Sequence, residues 1–500
     1  MEILGFLMDG FRGALTPMNL LFVFIGCLLG QIVGALPGIG PSAAMAILMP
    51  LTFGVPPTTA LIMLSGIMYG GMYGGTLTSV LINVPGEAAS VMTAVDGYQL
   101  AKQGRAGAAL SIAAIGSFYG GVASLTAVVF LTPLLSNFAL KFNAPEYFLL
   151  ATMGITATAS LGSGSAVKSL MVGVFGLMIA MIGTDPMVGV NRLTFGVMEL
   201  MDGIDFIPVA IGIFGIGEVL ASLEDRKDFV VLKTRLRDLW LTAQDWALCR
   251  MAIVRGTVVG FFVGTMPGTG PTIASLLAYA AEHRASKHPE NFGKGALDAV
   301  AAAETANNAA AQGALIPMLA LGIPGSQSTA VLLAALLILG IRPGPMLMSQ
   351  QPGLVWTLLA SMYIGNIMLL IMNLPLAPLW ASILRIPYDY LMPGIIAISL
   401  VGVYATSLSL FSVGITVLFG IIGYLMLKFE LPRAPIVLAI VLAPLMENSL
   451  RQSLMLSSGS LAIFVQRPIS AVLLLVVLTT LALPIVRHIR DRRKRNSFDE

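Results

Sequence analysis

Two nearly identical pentapeptides interrupt otherwise apolar stretches of the chain. Residues 37–41 read PGIGP and residues 267–271 read PGTGP. Proline removes a backbone donor and glycine accepts positive φ, so each pentapeptide predicts that one helix ends and another begins. The first turn of the new helix carries free N–H groups and a partial positive charge, which suit an anion. We therefore expect the substrate contacts to include Gly38, Ile39, Gly40, Ser42, Gly268, Thr269, Gly270 and Thr272.

A second pair of breaks follows these pentapeptides. Pro85-Gly86-Glu87 lies in the first half of the chain, and Pro324-Gly325-Ser326 lies in the second. Lipid cannot satisfy the backbone groups that a break leaves unpaired, so protein or a water-filled cavity must surround them. Matching breaks in two halves of a membrane protein indicate a transporter binding site. We add Gly86, Gly325 and Ser326 to the predicted substrate contacts; the alternative is that Gly and Pro only kink helices and allow close packing.

Acidic and amide side chains near the breaks are candidates for substrate or ion contacts. Glu304 lies one helical turn from Asn307 and Asn308, so the three side chains can share a face. Such groups are costly inside a membrane without partners and are often functional. We expect Asn307 and Asn308 to contact substrate, and Glu304, Glu87 and Asp96 to be candidates for ion coupling. The alternatives are a solvated helix start at Glu304 and a turn or cap at Asp96.

The composition defines the class of protein that carries these breaks. Of 500 residues, 57% are hydrophobic and 11% are charged, whereas soluble domains carry roughly 25% charged residues. Residues 13–86 contain no Asp, Glu, Lys or Arg. Soluble enzymes, disordered chains and fibrous proteins are therefore excluded. The apolar windows predict an all-α polytopic membrane protein with about 10–13 transmembrane helices and several half-length pieces.

The chain also shows an internal duplication. Segments 30–48 and 260–278 are identical at eight of nineteen positions. Basic residues follow opposite loops in the two halves, which predicts two inverted repeats. We predict a first membrane repeat at 1–223, a cytoplasmic amphipathic linker at 224–250 and a second membrane repeat at 251–486. A basic cytoplasmic tail at 487–500 is expected to anchor at the membrane surface rather than to bind nucleic acid.

Taken together, these motifs resemble the large membrane subunit of tripartite tricarboxylate transporters. The resemblance is carried by the two pentapeptides and by YGGTLTSVLINVPGE, DGYQLAKQGRAG and ETANNAAAQGALIPMLALGIPGS, and it spans most of residues 15–480. It implies a permease in the bacterial inner membrane with two partners, a small four-helix membrane subunit and a periplasmic solute-binding protein. It also implies uptake of a carboxylate, driven by a gradient of H⁺ or Na⁺ and without a cofactor.

The leading hypothesis is therefore a secondary transporter that binds a carboxylate between broken helices. Two alternatives remain at this point. One is a self-sufficient ion-coupled carrier that needs no binding protein. The other is a membrane enzyme or a non-transporting assembly subunit, for which the sequence shows no nucleophile or metal motif in a supporting context.

Overall fold

Helices make up most of the described part of the chain. The computed structural model describes residues 2–36, 40–161, 166–185, 187–224, 239–376, 379–380 and 388–496. In the first half the helices are α1 (Glu2–Ala14), α2 (Pro17–Gly34), α3 (Pro41–Leu48), α4 (Pro57–Ile82), α5 (Val91–Lys102), α6 (Ala106–Ala139), α7 (Ala144–Leu161) and α8 (Ala166–Ala180). Short 3₁₀ turns follow α3 at Met49–Thr52 and precede α5 at Ala88–Ser90.

The end of the first half contains the strands that the described residues form. Strands β1 (Gly183–Thr184) and β2 (Asn191–Arg192) make an antiparallel hairpin, and a 3₁₀ turn follows at Met198–Leu200. Helix α9 (Phe206–Ala210), a π-helical stretch at Ile211–Ile216 and α10 (Gly217–Glu224) then run on continuously. This stretch leads to the predicted linker.

The second half repeats the pattern of long and interrupted helices. Its helices are α11 (Ala243–Gly264), α12 (Gly270–Ala285), α13 (Leu297–Gly313), α14 (Leu315–Leu321), α15 (Gln327–Ile338), α16 (Leu347–Gln350), α17 (Pro352–Asn373), α18 (Tyr388–Ser407), α19 (Leu410–Lys428), α20 (Ala434–Leu456), α21 (Ile463–Gln466) and α22 (Pro468–Asn496). A 3₁₀ turn at Pro289–Asn291 lies between α12 and α13.

The architecture confirms an all-α, multi-pass membrane protein. Within the described residues, seven helices are long and apolar enough to cross a membrane: α2, α4, α6, the α9–α10 stretch, α11, α17 and α19. Five shorter apolar helices accompany them. Prolines stand at the first positions of α2, α3 and α4, where the missing N–H costs nothing.

The two halves repeat one close helix–helix contact. A Cβ added at Gly30 of α2 would lie under 3.0 Å from the carbonyl oxygen of Ile67 in α4. A Cβ added at Gly260 of α11 would meet the carbonyl oxygen of Ala306 in α13 in the same way. Glycine at these positions lets the backbones of each helix pair touch.

The second pair of breaks shows the same duplication. A Cβ at Gly86 would collide with the Cα of Gly75, and a Cβ at Gly325 would collide with the Cα of Ala314. Gly75 and Gly86 are eleven residues apart, as are Ala314 and Gly325. The duplication therefore extends to the packing; the inverted orientation of the halves stays a prediction.

A second group of helices packs beside these pairs. Helix α20 contacts α7 and α8, α22 contacts α7, and α19 contacts the π-helical stretch and α10. Arg451 of α20 donates to both carboxylate oxygens of Asp185, which follows β1, at 3.0 and 2.7 Å. These hydrogen bonds hold the pKa of Asp185 below its usual range and tie the hairpin to α20.

The predicted linker is described only at its end. Residues 225–238 lie outside the described residues, and Trp240 is 85% exposed. Helix α11 begins at Ala243 with a capping box, in which Thr242 Oγ1 accepts from the Asp245 N–H and Asp245 Oδ2 accepts from the Thr242 N–H. Residues 243–250 of the predicted linker therefore form the first turns of α11. The linker's cytoplasmic placement and the other predicted boundaries stay predictions.

Replacing Gly260 with alanine is expected to weaken the fold, because the new Cβ meets backbone rather than a movable side chain. Overpacking costs about 1–3 kcal/mol, so we expect a lower midpoint of thermal unfolding in detergent. Gly414→Ala in α19 is the matched control, since no atom lies within 4 Å of its added Cβ. Equal midpoints for the two variants would contradict the close contact between α11 and α13.

Candidate functional site

The breaks in the two halves meet around one cavity of about 390 Å³. Described residues of all four breaks, or of the helices that follow them, line it: Gly40–Ala43, Pro85–Ala89, Gly268–Ile273 and Ser326–Ser328. Met72 of α4 also contributes. The remaining lining comes from the second group of helices, through Phe214, Glu218, Pro432, Arg433, Pro435 and Leu438. The cavity thus lies between the duplicated helix pairs and that second group.

Three helices begin at the cavity, as the Pro/Gly motifs predict. Helix α3 begins at Pro41 and α12 begins at Gly270, where φ is +63°. Helix α15 begins after Ser326, whose Oγ accepts from the Thr329 N–H at 3.2 Å. Because the Gly268 N–H donates to the Gly325 carbonyl at 3.2 Å, the two breaks of the second half hold each other in place.

Most predicted substrate contacts line this cavity. They are Gly40, Ser42, Gly86, Gly268, Thr269, Gly270, Thr272 and Ser326. Gly325 lies beside the lining, where its carbonyl accepts from Gly268. Gly38 and Ile39 lie outside the described residues. The hydroxyl of Thr269 donates to the carbonyl oxygens of Val263 and Met266, and its N–H donates to the Met266 carbonyl.

Asn307 and Asn308 lie behind the lining rather than in it. Both side chains are buried. Asn307 Nδ2 donates to Glu87 Oε1 at 3.0 Å, and Asn308 Nδ2 donates to Ser117 Oγ at 2.7 Å. Since Glu87 itself lines the cavity, Asn307 is one hydrogen bond away from it.

Glu304 lies one turn deeper in a cage of hydroxyl groups. Its side chain is fully buried. One carboxylate oxygen accepts from Thr93 Oγ1 at 2.5 Å and the other from Thr76 Oγ1 at 2.9 Å. Within the described part of the chain, neither Glu304 nor Glu87 pairs with a basic side chain. Neutral donors therefore hold both carboxyl groups, threonine hydroxyls at Glu304 and the Asn307 amide at Glu87.

Asp96 anchors the loop before α13 and lies away from the cavity lining. Its Oδ1 accepts from the backbone N–H groups of Gly293, Gly295 and Ala296 at 2.8–2.9 Å. Its Oδ2 accepts from the hydroxyl of Tyr279 at 2.8 Å. Asp96 thus lies inside α5 and holds this loop, rather than capping a helix; its role in ion coupling stays a prediction.

Sequence reasoning missed the charged pair in the cavity. Arg433 forms an ion pair with Glu218, and both residues line the cavity. An anion site made mainly of backbone dipoles was expected, and Arg433 adds a guanidinium to it. Two features of the sequence pointed to this pair. Arg433 is a single basic residue in Leu-Pro-Arg-Ala-Pro ahead of an apolar run, and Glu218 is the one acidic residue in the apolar window 206–223.

Metal-binding and thiol groups are few in the described residues. They contain no group of three or more His, Cys, Asp or Glu side chains placed to hold a metal ion. Cys27 and Cys249 are both buried, and neither forms a disulfide. The cavity lining instead offers backbone, hydroxyl, carboxylate and guanidinium groups.

Comparison with known proteins gives the class of this fold and site. The family model described as "Tripartite tricarboxylate transporter TctA family" matches residues 20–438. The chain therefore belongs to this family of membrane transporters, as its motifs suggested.

Two similar proteins carry names that refer to the region in which they lie. The chain is 44% identical to the "Uncharacterized 52.8 kDa protein in TAR-I ttuC' 3'region" of Agrobacterium vitis, over the full length of both. It is 42% identical to the "Uncharacterized protein in TAR-II ttuC' 3'region" of the same organism, over 47% of this chain and 97% of that one. No solved structure matches the chain significantly.

Replacing Asp96 with alanine should release the loop at residues 293–296. Each buried N–H left without a partner costs about 1–3 kcal/mol, so trypsin should cleave after Lys287 and Lys294 faster than in the unaltered protein. Asp9→Ala is the control, since Asp9 is exposed and pairs only with Arg12 within α1. Unchanged cleavage rates in Asp96→Ala would contradict the anchoring role.

Proposed function

We propose that this chain is the permease subunit of a secondary transporter that imports a tricarboxylate or related carboxylate across a bacterial inner membrane. The observation that carries the proposal is the cavity formed where the duplicated helix breaks meet. Its volume of about 390 Å³ falls within the range of roughly 300–1,000 Å³ for small-molecule sites. Membership of a transporter family supports the same conclusion.

The chemistry of the lining suits a carboxylate. Three helices begin at the cavity, and each helix N-terminus carries about half a positive elementary charge. Hydroxyl groups of Ser42 and Thr272 add donors. Backbone donors attract an anion without the strong fixed charge that would hinder its release, and a transporter must release what it binds.

The charge of the lining favours ion coupling. Its described residues carry one cation, Arg433, against two carboxylates, Glu87 and Glu218, which gives a net charge of −1 when all are ionised. A carboxylate entering this cavity meets like charge, and a cation arriving with it removes that cost. We propose that H⁺ or Na⁺ fills this role at Glu87, which accepts from Asn307, and at Glu304, which lies one turn from Asn307 on α13.

The partners follow from the family to which the chain belongs. We propose that a small four-helix membrane subunit and a periplasmic solute-binding protein complete the transporter, and that the binding protein delivers the carboxylate. The self-sufficient carrier is the alternative: liposomes containing this chain alone would then accumulate substrate as fast as the full assembly. Flux that depends on an imposed ion gradient would exclude an enzyme or an assembly subunit.

Filling the cavity should stop uptake without unfolding the protein. At Gly40 the backbone is extended and an added Cβ has only Glu87 Cβ at 3.6 Å within 4 Å, so Gly40→Leu is expected to fold and to occupy the substrate space. We expect uptake of labelled citrate into liposomes containing the complete transporter to fall at least tenfold. Gly353→Leu, where nothing lies within 4 Å, is the control. Normal uptake by Gly40→Leu would place the substrate elsewhere.

Removing the charge at Glu304 should uncouple transport from the gradient. Glu304→Gln keeps the size of the side chain, and its amide can accept from one of the two threonine hydroxyls and donate to the other, but it carries no charge and cannot take up a proton. We expect gradient-driven accumulation of citrate to be lost while exchange of internal for external citrate continues. Glu290→Gln, an exposed glutamate beside His288, is the control. Accumulation equal to that of the unaltered protein would show that Glu304 does not couple.

A further inference from the structure

One part of the cavity carries a charged pair that the helix breaks do not supply. Arg433 precedes α20 and pairs through Nη1 with Oε2 of Glu218 in α10. The side chains keep 20% and 14% of their surface exposed, and both line the cavity. The pair is therefore shielded from bulk water and accessible to a ligand inside the cavity.

The guanidinium uses only part of its donor capacity. Its Nη1 also donates to the Ile213 carbonyl at 3.4 Å, and the group lies 5.6 Å from the centre of the Phe214 ring. Among the described residues, Nε and Nη2 of Arg433 have no hydrogen-bond partner. A guanidinium presents five N–H donors in a planar fork that matches a carboxylate bidentately. Arg433 thus keeps the donors that a second carboxylate needs.

The rest of the lining is suited to a different carboxylate of the same molecule. The breaks at Gly40–Ala43 and Gly268–Ile273 present backbone at helix starts, and such N–H groups bind one anionic group well. These N–H groups belong to other elements than those that carry Arg433 and Glu218. A ligand with two or more carboxylates can therefore engage the breaks and the guanidinium at once.

We propose that Arg433 forms a carboxylate subsite of the cavity, which Glu218 occupies until a substrate carboxylate replaces it. The inference rests on the proposed function, because it assumes that the cavity binds carboxylates. Exchange of one carboxylate for another keeps the guanidinium paired at both stages, while the displaced Glu218 loses its partner, a cost that the substrate carboxylate must offset. A monocarboxylate held at the breaks leaves Arg433 with Glu218. The subsite therefore selects dicarboxylates and tricarboxylates over monocarboxylates.

The test compares two variants that differ only at Arg433. Glu218→Gln removes the competing negative charge and leaves Arg433 with a neutral amide as its partner, whereas Glu218→Gln/Arg433→Gln also removes the guanidinium and leaves a neutral pair. Binding of citrate and of the monocarboxylate succinamate to the purified full chain is measured by calorimetry. The midpoint of thermal unfolding reports whether each variant is folded.

We expect Glu218→Gln to bind citrate more tightly than the unaltered protein does. The double variant should bind citrate more weakly than Glu218→Gln by about tenfold or more, since a hydrogen bond to a charged group is lost. Succinamate should bind these two variants equally. Arg105→Gln, which removes a cation paired with Asp245 and absent from the cavity lining, should leave citrate affinity unchanged.

Equal citrate affinities in Glu218→Gln and the double variant would overturn the subsite. Equal losses for citrate and succinamate would also overturn it, because they would show a general effect on the cavity. If the unaltered protein bound neither ligand, the proposed carboxylate function itself would fail, which separates that outcome from failure of the subsite.

Discussion

Unpaired backbone groups inside a membrane are the constraint on which this structure depends. Lipid offers them no partner, so a helix that stops partway across must be enclosed by other protein. The enclosure begins with glycines that bring two backbones into contact, Gly30 of α2 on α4 and Gly260 of α11 on α13. Once these pairs form, the ends of the broken helices lie in a protected space. The unpaired backbone N–H groups at these helix ends, which would be costly in lipid, then line a cavity suited to an anion.

Behind that lining lies a second layer of polar groups. Glu87 lines the cavity, and Asn307 donates a hydrogen bond to Glu87. Glu304 lies one helical turn from Asn307, among hydroxyl groups. This order connects a site for an anion with carboxyl groups that lack basic partners among the described residues. The Glu87–Asn307 hydrogen bond joins the cavity lining to α13, which carries Glu304 one turn away.

The sequence predicts the breaks and most of the lining because proline and glycine act locally on the backbone. It predicts that Glu304, Asn307 and Asn308 share a helix face, but helical spacing cannot say what that face meets. The amides therefore lie behind the cavity and not in it. The Arg433–Glu218 pair joins α10 to the start of α20, 215 residues apart. No motif or repeat links those positions, so only the three-dimensional fold brings them together.

The central claim is that carboxylate binds where the two sets of breaks meet. The most direct test places single cysteines at Ser42 and Thr272 and measures their labelling by a charged thiol reagent with and without citrate. Both native cysteines are buried, and Ser458→Cys at an exposed turn provides a control. The account predicts that citrate slows labelling at Ser42→Cys and Thr272→Cys and leaves Ser458→Cys unchanged. Labelling at the two cavity positions that is unaffected by saturating citrate would contradict it.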